Sequence, residues 1–462
     1  MTAGPRKNCG CNEFTRADLA RRTIAEAGRG LPSIERGMPM PAGTGLSRRS
    51  FLLRTGGLAL SVYGASLLSP RAFVDGIAEA ASSQGKVLVS VFLEGGIDAL
   101  SVLSPVNDDK YRQLRPTLRL DPGAGPAWTE DTRLHWHPSA APLHKLHGEG
   151  KVTVFPGIGY TNADQSHFTS RHYWEVGELS VHTNTGWLGR LLDAVGNDDN
   201  PLQGLSLDGS LSPSLATAHV PVAATWGARY DLWAPGVWGE VEDLMFDSFG
   251  RLGNAAESAS DPQLKGAGRV VRQASTLRGQ LREFSDEITS PVPYPDEEHF
   301  SQSLAGLAAM LDAGLPITVA SVGAPGSYDT HDEQTDTFGG DLKATCDGLL
   351  AFQRDLEARG LDDRVVTLVW SEFGRRPEEN GDGTAAGTDH GAGGNAFLIG
   401  TAAKGTMVGE WPGLDTLDED DNLRATADFR SVYCSLLEQW FGVDAASVIP
   451  GASGFARPTL IG

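Results

Sequence analysis

Carboxylate oxygens, imidazole nitrogens and one hydroxyl recur at five short stretches of the chain: Gly95-Gly96-Ile97-Asp98, Ser166-His167, Asp329-Thr330-His331-Asp332, Ser371-Glu372-Phe373-Gly374-Arg375 and Thr388-Asp389-His390-Gly391. Oxygen and imidazole donors together suit Zn, Mn or a similar divalent ion. Asp98, Asp329, His331, Glu372, Asp389 and His390 are therefore candidate metal ligands. Ser166 opens a helical pattern, where the helix dipole and a nearby cation would both favour its alkoxide, which makes it a candidate nucleophile.

These stretches share a place in the pattern of elements. Apolar, β-branched runs at 86–93, 151–157, 315–322, 364–370 and 395–400 read as buried strands. Helical patterns at 138–148, 166–178, 187–195, 302–313, 341–359 and 428–441 alternate with them. That alternation predicts an α/β fold with a mainly parallel central sheet and helices on both faces. Ligands of such sheets bind beyond the carboxyl ends of the strands. Four of the donor stretches follow a strand there, and the fifth immediately precedes one. Residues 202–300, rich in Trp, Gly and Ser and then in polar helix, break the rhythm and read as an inserted cap.

Each candidate has a plainer reading. Asp98 after two glycines suits a helix cap, Asp329-Thr330-His331 a turn, Glu372 an ion pair with Arg375, and Asp389-His390 ordinary loop polarity. Their succession at strand ends favours a site. His135, His137, His144 and His147 show no shared face with a carboxylate and read as packing residues. Cys346 and Cys434 read as separate buried thiols, and Cys9 and Cys11 as incidental. No dinucleotide fingerprint, phosphate-binding loop or Gly-x-Ser-x-Gly elbow is present.

The 462 residues hold 38 Lys and Arg against 59 Asp and Glu, a net charge of −21, with 40% hydrophobic and 21% charged residues. That composition excludes wholesale disorder and a polytopic membrane protein, and the acidity argues against nucleic acid as a partner. Residues 1–81 hold 11 basic and 6 acidic side chains, leaving 27 against 53 for the rest. Within this basic leader, Ser47-Arg48-Arg49-Ser50-Phe51-Leu52-Leu53 precedes a short apolar stretch, 56–68, and then Ala78-Glu79-Ala80. The order is that of an export signal, with an apolar run too short to span a membrane. It resembles a twin-arginine signal, which implies passage through the twin-arginine export machinery to the periplasm or outside. The expected organisation is a disordered extension at 1–46, a signal at 47–81, and an α/β domain at 84–462 with its insertion at 202–300.

Eight motifs in order carry a second resemblance: Glu94-Gly-Gly-Ile-Asp98, Tyr111-Arg-Gln-Leu-Arg115-Pro116, Leu134-His-Trp-His137-Pro138, Ser166-His-Phe168, Gly186-Trp-Leu-Gly-Arg190, Asp329-Thr-His331, Ser371-Glu-Phe-Gly-Arg375 and Gly387-Thr-Asp-His-Gly391. Together they resemble the exported bacterial family of unknown function numbered 1501, which is grouped with alkaline phosphatases and sulfatases. Ser327-Tyr328 departs from the Gly-Trp common before Asp-Thr-His in that family. The resemblance implies an alkaline phosphatase-like fold and one or two divalent ions (Zn, Mn, Ca or Mg), with a phosphate or sulfate ester, small or polymeric, as substrate. Ser166 would attack phosphorus or sulfur. One ion would be held by Asp98, Glu372 and His390, a second by Asp329 and His331, and Arg171 or Arg375 would neutralise the remaining ester oxygens. The alternative is an exported binding or assembly protein that keeps the fold without catalysis.

Overall fold

The computed structural model describes residues 62–63, 85–227, 238–284, 288–295 and 299–462. The extension at 1–46, with Cys9 and Cys11, and the twin-arginine pair lie outside the described residues. Of the segment 47–81 only Val62–Tyr63 is described, as a two-residue strand, β1.

Apart from a separate two-residue pair, Leu103–Ser104 with His135–Trp136, the remaining strands are β2 (Val87–Phe92), β3 (Val152–Gly159), β4 (Gly204–Ser206), β5 (Val222–Ala224), β6 (Val319–Gly323), β7 (Val365–Trp370), a hairpin of β8 (Arg375–Asn380) and β9 (Gly387–His390), then β10 (Gly394–Ile399) and β11 (Ala427–Asp428). Nine of them form one sheet in the order β1-β5-β4-β6-β2-β7-β10-β3-β11. The run from β5 to β7 is parallel. β10 runs antiparallel to both neighbours, β7 and β3. The chain reaches β10 from β7 through a hairpin with no crossover helix, and a parallel return requires such a crossover.

Every residue of β2 is buried, as expected for a central strand covered on both faces. Val87, Val89 and Val91 face one core and Leu88 and Phe92 the other. The helices that matter to the site are α1 (Ala99–Val102), α2 (His167–Val176), α3 (Trp187–Val195), α4 (Glu240–Ala256), α5 (Pro262–Leu281), α6 (His299–Asp312) and α7 (Gln334–Arg359). Leu304 of α6 and Phe352 of α7 pack in the first core, Trp174 of α2 and Leu191 of α3 in the second. Among the described residues no helix is long and apolar enough to cross a membrane.

Two expectations are corrected. Residues 202–300 are not wholly an insertion, because β4 and β5 belong to the central sheet; three-residue strands are too short to show a period. Beyond them, α4 and α5 pack so closely that a Cβ on Gly253 would lie 2.5 Å from the Gly268 carbonyl oxygen. Helix α7 begins at Gln334, two turns before the pattern suggested, and continues through Gly339-Gly340.

That early start has a polar cause. Gln334 Nε2 donates to Asp98 at 2.6 Å, and its Oε1 accepts from Thr330 at 2.9 Å and Thr388 at 2.8 Å. Asp98 is fully buried and forms a two-pronged pair with Arg115, whose remaining donors reach the carbonyls of Arg376 and Pro377. Burial raises the Asp98 pKa, but Arg115, Ser101 and Gln334 outweigh it and hold the carboxyl below its ordinary value. One buried knot thus joins the segments after β2, β6 and β7 and the strand β9.

Cys346 and Cys434 are free and buried. His147 lies between Trp128 and Glu130, and His135 bonds the Gly125 carbonyl.

Removing Arg115 leaves a desolvated carboxylate without its counter-charge. Arg115→Met is expected to lower the free energy of unfolding by about 3–5 kcal/mol, seen as a lower urea midpoint. Adding Asp98→Asn to that variant should recover part of the loss, and an unchanged midpoint in the single variant would contradict the assignment.

Candidate metal centre

The loop after β6 is laid along the end of β2 by two backbone bonds, Ala324 N to Phe92 O and Tyr328 N to Glu94 O, both 2.8 Å. It delivers Asp329 against the Gly95-Gly96 turn. Gly95 has φ +117° and a Cβ there would lie 2.2 Å from Asp329 N; Gly96 has φ +79° and its Cβ would strike the Phe373 ring at 2.4 Å. Only glycine fits either place. The turn's N–H groups donate to Glu372, Gly95 N at 3.0 Å and Gly96 N at 3.1 Å, and Ser371 Oγ adds a third bond at 2.9 Å.

Helix α2 starts where β3 and its following turn leave it. Ser166 is its N-cap, with the hydroxyl accepting from Thr169 N at 3.5 Å. Ser170 Oγ ties the helix to the Glu372 carbonyl at 2.6 Å. His167 is the first helical residue. Across the β8–β9 hairpin Arg375 pairs with His390, so the two arrive side by side.

Asp329 Oδ1 is the meeting point. It accepts from Arg375 Nη2 at 2.6 Å and lies 3.1 Å from His331 Nε2, 3.3 Å from His167 Nε2 and 3.4 Å from His390 Nε2. The Nε2 atoms of His331 and His390 are 2.9 Å apart. Donor atoms of His167, Asp329 and His390 all fall within 4.8 Å of one another. The far side of each ring is also fixed: His167 Nδ1 faces Glu372 Oε1 at 2.8 Å, His331 Nδ1 faces Asp389 Oδ1 at 3.1 Å, and His390 Nδ1 faces the Gln165 carbonyl at 2.7 Å. Carboxylates and carbonyls only accept, so each Nδ1 carries a proton and, in the neutral ring, each Nε2 presents its lone pair inward. A carboxylate or carbonyl behind each imidazole is the arrangement that orients metal-binding histidines.

Burial raises the Asp329 pKa, yet the close approach of His167, His331, His390 and Arg375 holds the carboxyl far below the usual range. For His167 burial lowers the pKa, and the Asp329 and Glu372 partners overcome it, raising the ring to about 9. The Asp329 contact raises His331 as well.

Several expected roles change. Asp329, His331 and His390 come together as candidate ligands. Asp98 does not join them, because Arg115, Ser101, Gln334 and the Leu100 N–H occupy its oxygens; it caps α1 instead. Glu372 and Asp389 stand behind His167 and His331 as orienting groups, with Asp389 also taking a bond from Asn380. Arg375 is buried and bonded to the carbonyls of Gly95, Gly96 and Thr388 as well as Asp329, so it braces the loops and presents no face to a substrate. It pairs with Asp329, not Glu372. Arg171 stays partly exposed, above the Phe92 ring and bonded to Glu175. Ser166 sits between Gln165 and His167 without a hydrogen bond to the cluster. The candidate ligand overlooked from sequence is His167; its signal was a histidine at the same kind of strand-end turn as His331 and His390.

A family model described as "Protein of unknown function (DUF1501)" matches residues 157–438. No curated protein matches the chain. Among solved structures, a sulfatase from Pseudoalteromonas sp. is similar at 12% identity, covering 81% of this chain and 74% of its own, with a TM-score of 0.33. The C-terminal periplasmic domain of EcEptC from Escherichia coli, in complex with Zn, is similar at 8% identity over 79% and 87% of the two chains, TM-score 0.36. A protein in the alkaline phosphatase superfamily from Vibrio parahaemolyticus is similar at 9% identity over 86% and 76%, TM-score 0.32.

With its pKa raised from 6.5 to about 9, His167 stabilises the metal-free protein fully below pH 6.5, and that contribution is lost as pH rises through 9. Chelator-treated protein should therefore melt at a lower temperature at pH 9 than at pH 6.5. Glu372→Gln should shift the His167 titration, followed by NMR, toward its ordinary value; an unmoved titration would contradict the pairing.

Proposed function

The chain belongs to the DUF1501 family, and from the geometry of its centre we propose that it is a metal-dependent hydrolase or transferase of phosphate or sulfate esters with Ser166 as nucleophile. The observation that carries this reading is the convergence of three Nε2 atoms on one Asp329 oxygen. The Nε2 atoms of His331 and His390, 2.9 Å apart, can share one proton in the metal-free protein or one cation in the loaded protein. Among the described residues His167 Nε2 is buried without a hydrogen bond, 3.3 Å from Asp329 Oδ1. A divalent cation answers both.

Three nitrogens and one oxygen suit Zn or Mn. Ca and Mg, which take oxygen ligands, fit this set poorly. The residues support one ion, since Asp98 and Glu372, expected to hold another, are engaged elsewhere. His167, His331, His390 and Asp329 would hold it, and Glu372, Asp389 and the Gln165 carbonyl keep the rings in register. When bound, such an ion polarises an ester oxygen and lowers the pKa of a neighbouring hydroxyl or water.

The chain's own groups supply the rest. Ser166 caps α2 directly before His167, so its oxygen sits at the positive end of the helix dipole, which favours the attacking alkoxide. Arg171 lies four residues beyond His167 on the same face of α2, partly exposed, where its guanidinium can neutralise non-bridging ester oxygens. Arg375 does not serve that purpose; it holds Asp329 still. Export through the twin-arginine machinery is part of the proposal and rests on the Arg48-Arg49 leader. The burial of Arg375 and Asp98 also favours a second reading, a binding protein that holds the ion without turnover.

Metal analysis of protein exported in its native compartment, followed by ester screening of the same sample, tests both. About one transition metal per chain is expected, falling to none in His390→Ala. Ser166→Ala should keep the metal and lose at least about 10³-fold of turnover. Full turnover in Ser166→Ala sinks the nucleophile assignment, and a stoichiometric ion without ester turnover supports the binding protein.

A further inference from the structure

The Ser166 hydroxyl reaches Thr169 N at 3.5 Å, a length at which a hydrogen bond fixes little. The place of this proposed nucleophile is therefore set by its backbone. The segment that leads from β3 to α2 includes Asn162 at φ +55°, a left-handed conformation that a residue with a side chain keeps only under support from its surroundings. Three bonds brace the end of that segment. Asp164 N donates to the Tyr160 hydroxyl at 2.9 Å, the Gln165 carbonyl accepts from His390 Nδ1 at 2.7 Å, and Ser166 N donates to Asp164 Oδ1 at 2.8 Å.

Tyr160 stands at the root of this set. It directly follows β3, is buried, and its ring meets those of Tyr173 and Phe429 edge-on, with centroids 5.9 Å apart in both cases. The course of its hydroxyl proton is defined by a neighbour. Ser170 Oγ gives its one proton to the Glu372 carbonyl at 2.6 Å, so toward Tyr160, 2.9 Å away, it must accept. Tyr160 thus donates to Ser170 and accepts from Asp164. Burial pushes the phenol above its ordinary pKa despite the Ser170 bond, which keeps the donor in place.

We propose that Tyr160 is a positioning residue whose single hydroxyl holds Ser166 in register with the candidate metal centre. Two arms leave that oxygen. One runs through Asp164 to the Ser166 N–H. The other runs through Ser170, which seats the first turn of α2 on Glu372, and the Glu372 carboxylate in turn faces His167 Nδ1 at 2.8 Å. The use of this register in catalysis rests on Ser166 being the nucleophile. A reacting group displaced by about 1 Å can lose on the order of 10²-fold in rate with no ligand or charge altered.

Tyr160→Phe keeps the ring and removes the hydroxyl, so the fold should stand and the melting temperature fall by about 2–4 °C at most. Amide exchange on the full chain needs no substrate: the Asp164 and Ser166 amides are expected to exchange at least tenfold faster in the variant. With the best ester found by screening, kcat is expected to fall at least tenfold while KM stays within twofold and metal content is unchanged. Tyr173→Phe, which removes a neighbouring phenol hydroxyl, is the control and should match the parent in all these readings. Ser170→Ala cuts the same chain from its other side, and the double variant should cost no more than the worse single one, because the two hydroxyls act as a unit. Unchanged exchange at both amides overturns the proposal, as does parent-level kcat in Tyr160→Phe when Ser166→Ala is inactive. A loss of metal in proportion to the loss of kcat also overturns it, by making the effect one of ligation. Full turnover in Ser166→Ala, or none in the parent, sinks the nucleophile assignment instead and leaves amide exchange to decide how Ser166 is held. If Tyr160→Phe does not fold, Ser170→Ala decides by the same readings.

Discussion

Three imidazoles and a guanidinium crowd one carboxylate oxygen of Asp329, and such crowding survives only if the backbone cannot relax. Two buried clamps prevent relaxation. Glu372 gathers the Gly95 and Gly96 N–H groups, Ser371 and His167 onto one carboxylate. Gln334 ties Thr330 and Thr388, which flank the ligand-bearing residues, to the Asp98–Arg115 pair. A buried ion pair gains little over apolar packing unless its remaining donors and acceptors are satisfied. Here they are, and the pair fixes geometry where four segments meet.

The division of labour follows from access. Groups with free lone pairs and some exposure, the three histidines and Asp329, face the centre. Groups that are wholly buried, Asp98, Glu372 and Arg375, are consumed in holding the others. A guanidinium sealed under a loop makes bonds to three carbonyls and a carboxylate at once, and its planar fork suits that task better than any other side chain. The same logic separates the two arginines proposed for substrate, since only Arg171 keeps exposed surface.

Much of the fold could be read because buried strands announce themselves. β2 and β7 are apolar, β-branched runs interrupted only by Ser90 and Thr367, and α3 was bounded by Gly186 and Gly196. The elements that escaped were those whose stability comes from neighbours. β4 and β5 are three residues long and exist because β6 is already there to pair with β4, and β4 with β5. The first two turns of α7 contain Thr and a Gly pair of poor helix propensity, and they are helical because Gln334 is anchored in the polar knot. The reversed direction of β10 depends on a hairpin that periodicity does not reveal.

For the site, residue types and their recurrence at strand ends determined that an oxygen- and nitrogen-rich centre would form on one edge of the sheet, and they singled out Asp329, His331 and His390. Which carboxylate faces the centre and which stands behind an imidazole was not legible. Asp98, Glu372, Asp389 and Asp329 are chemically near-identical, and their roles diverge only through what folding brings beside them: Arg115 for Asp98, two glycine N–H groups for Glu372, the ring of His331 for Asp389. His167 shows the same limit from the other side, since its partners lie 162 to 223 residues away along the chain. Sequence specifies donors; tertiary structure allocates them, because a donor's availability is set by the desolvation and hydrogen bonds that distant segments impose on it.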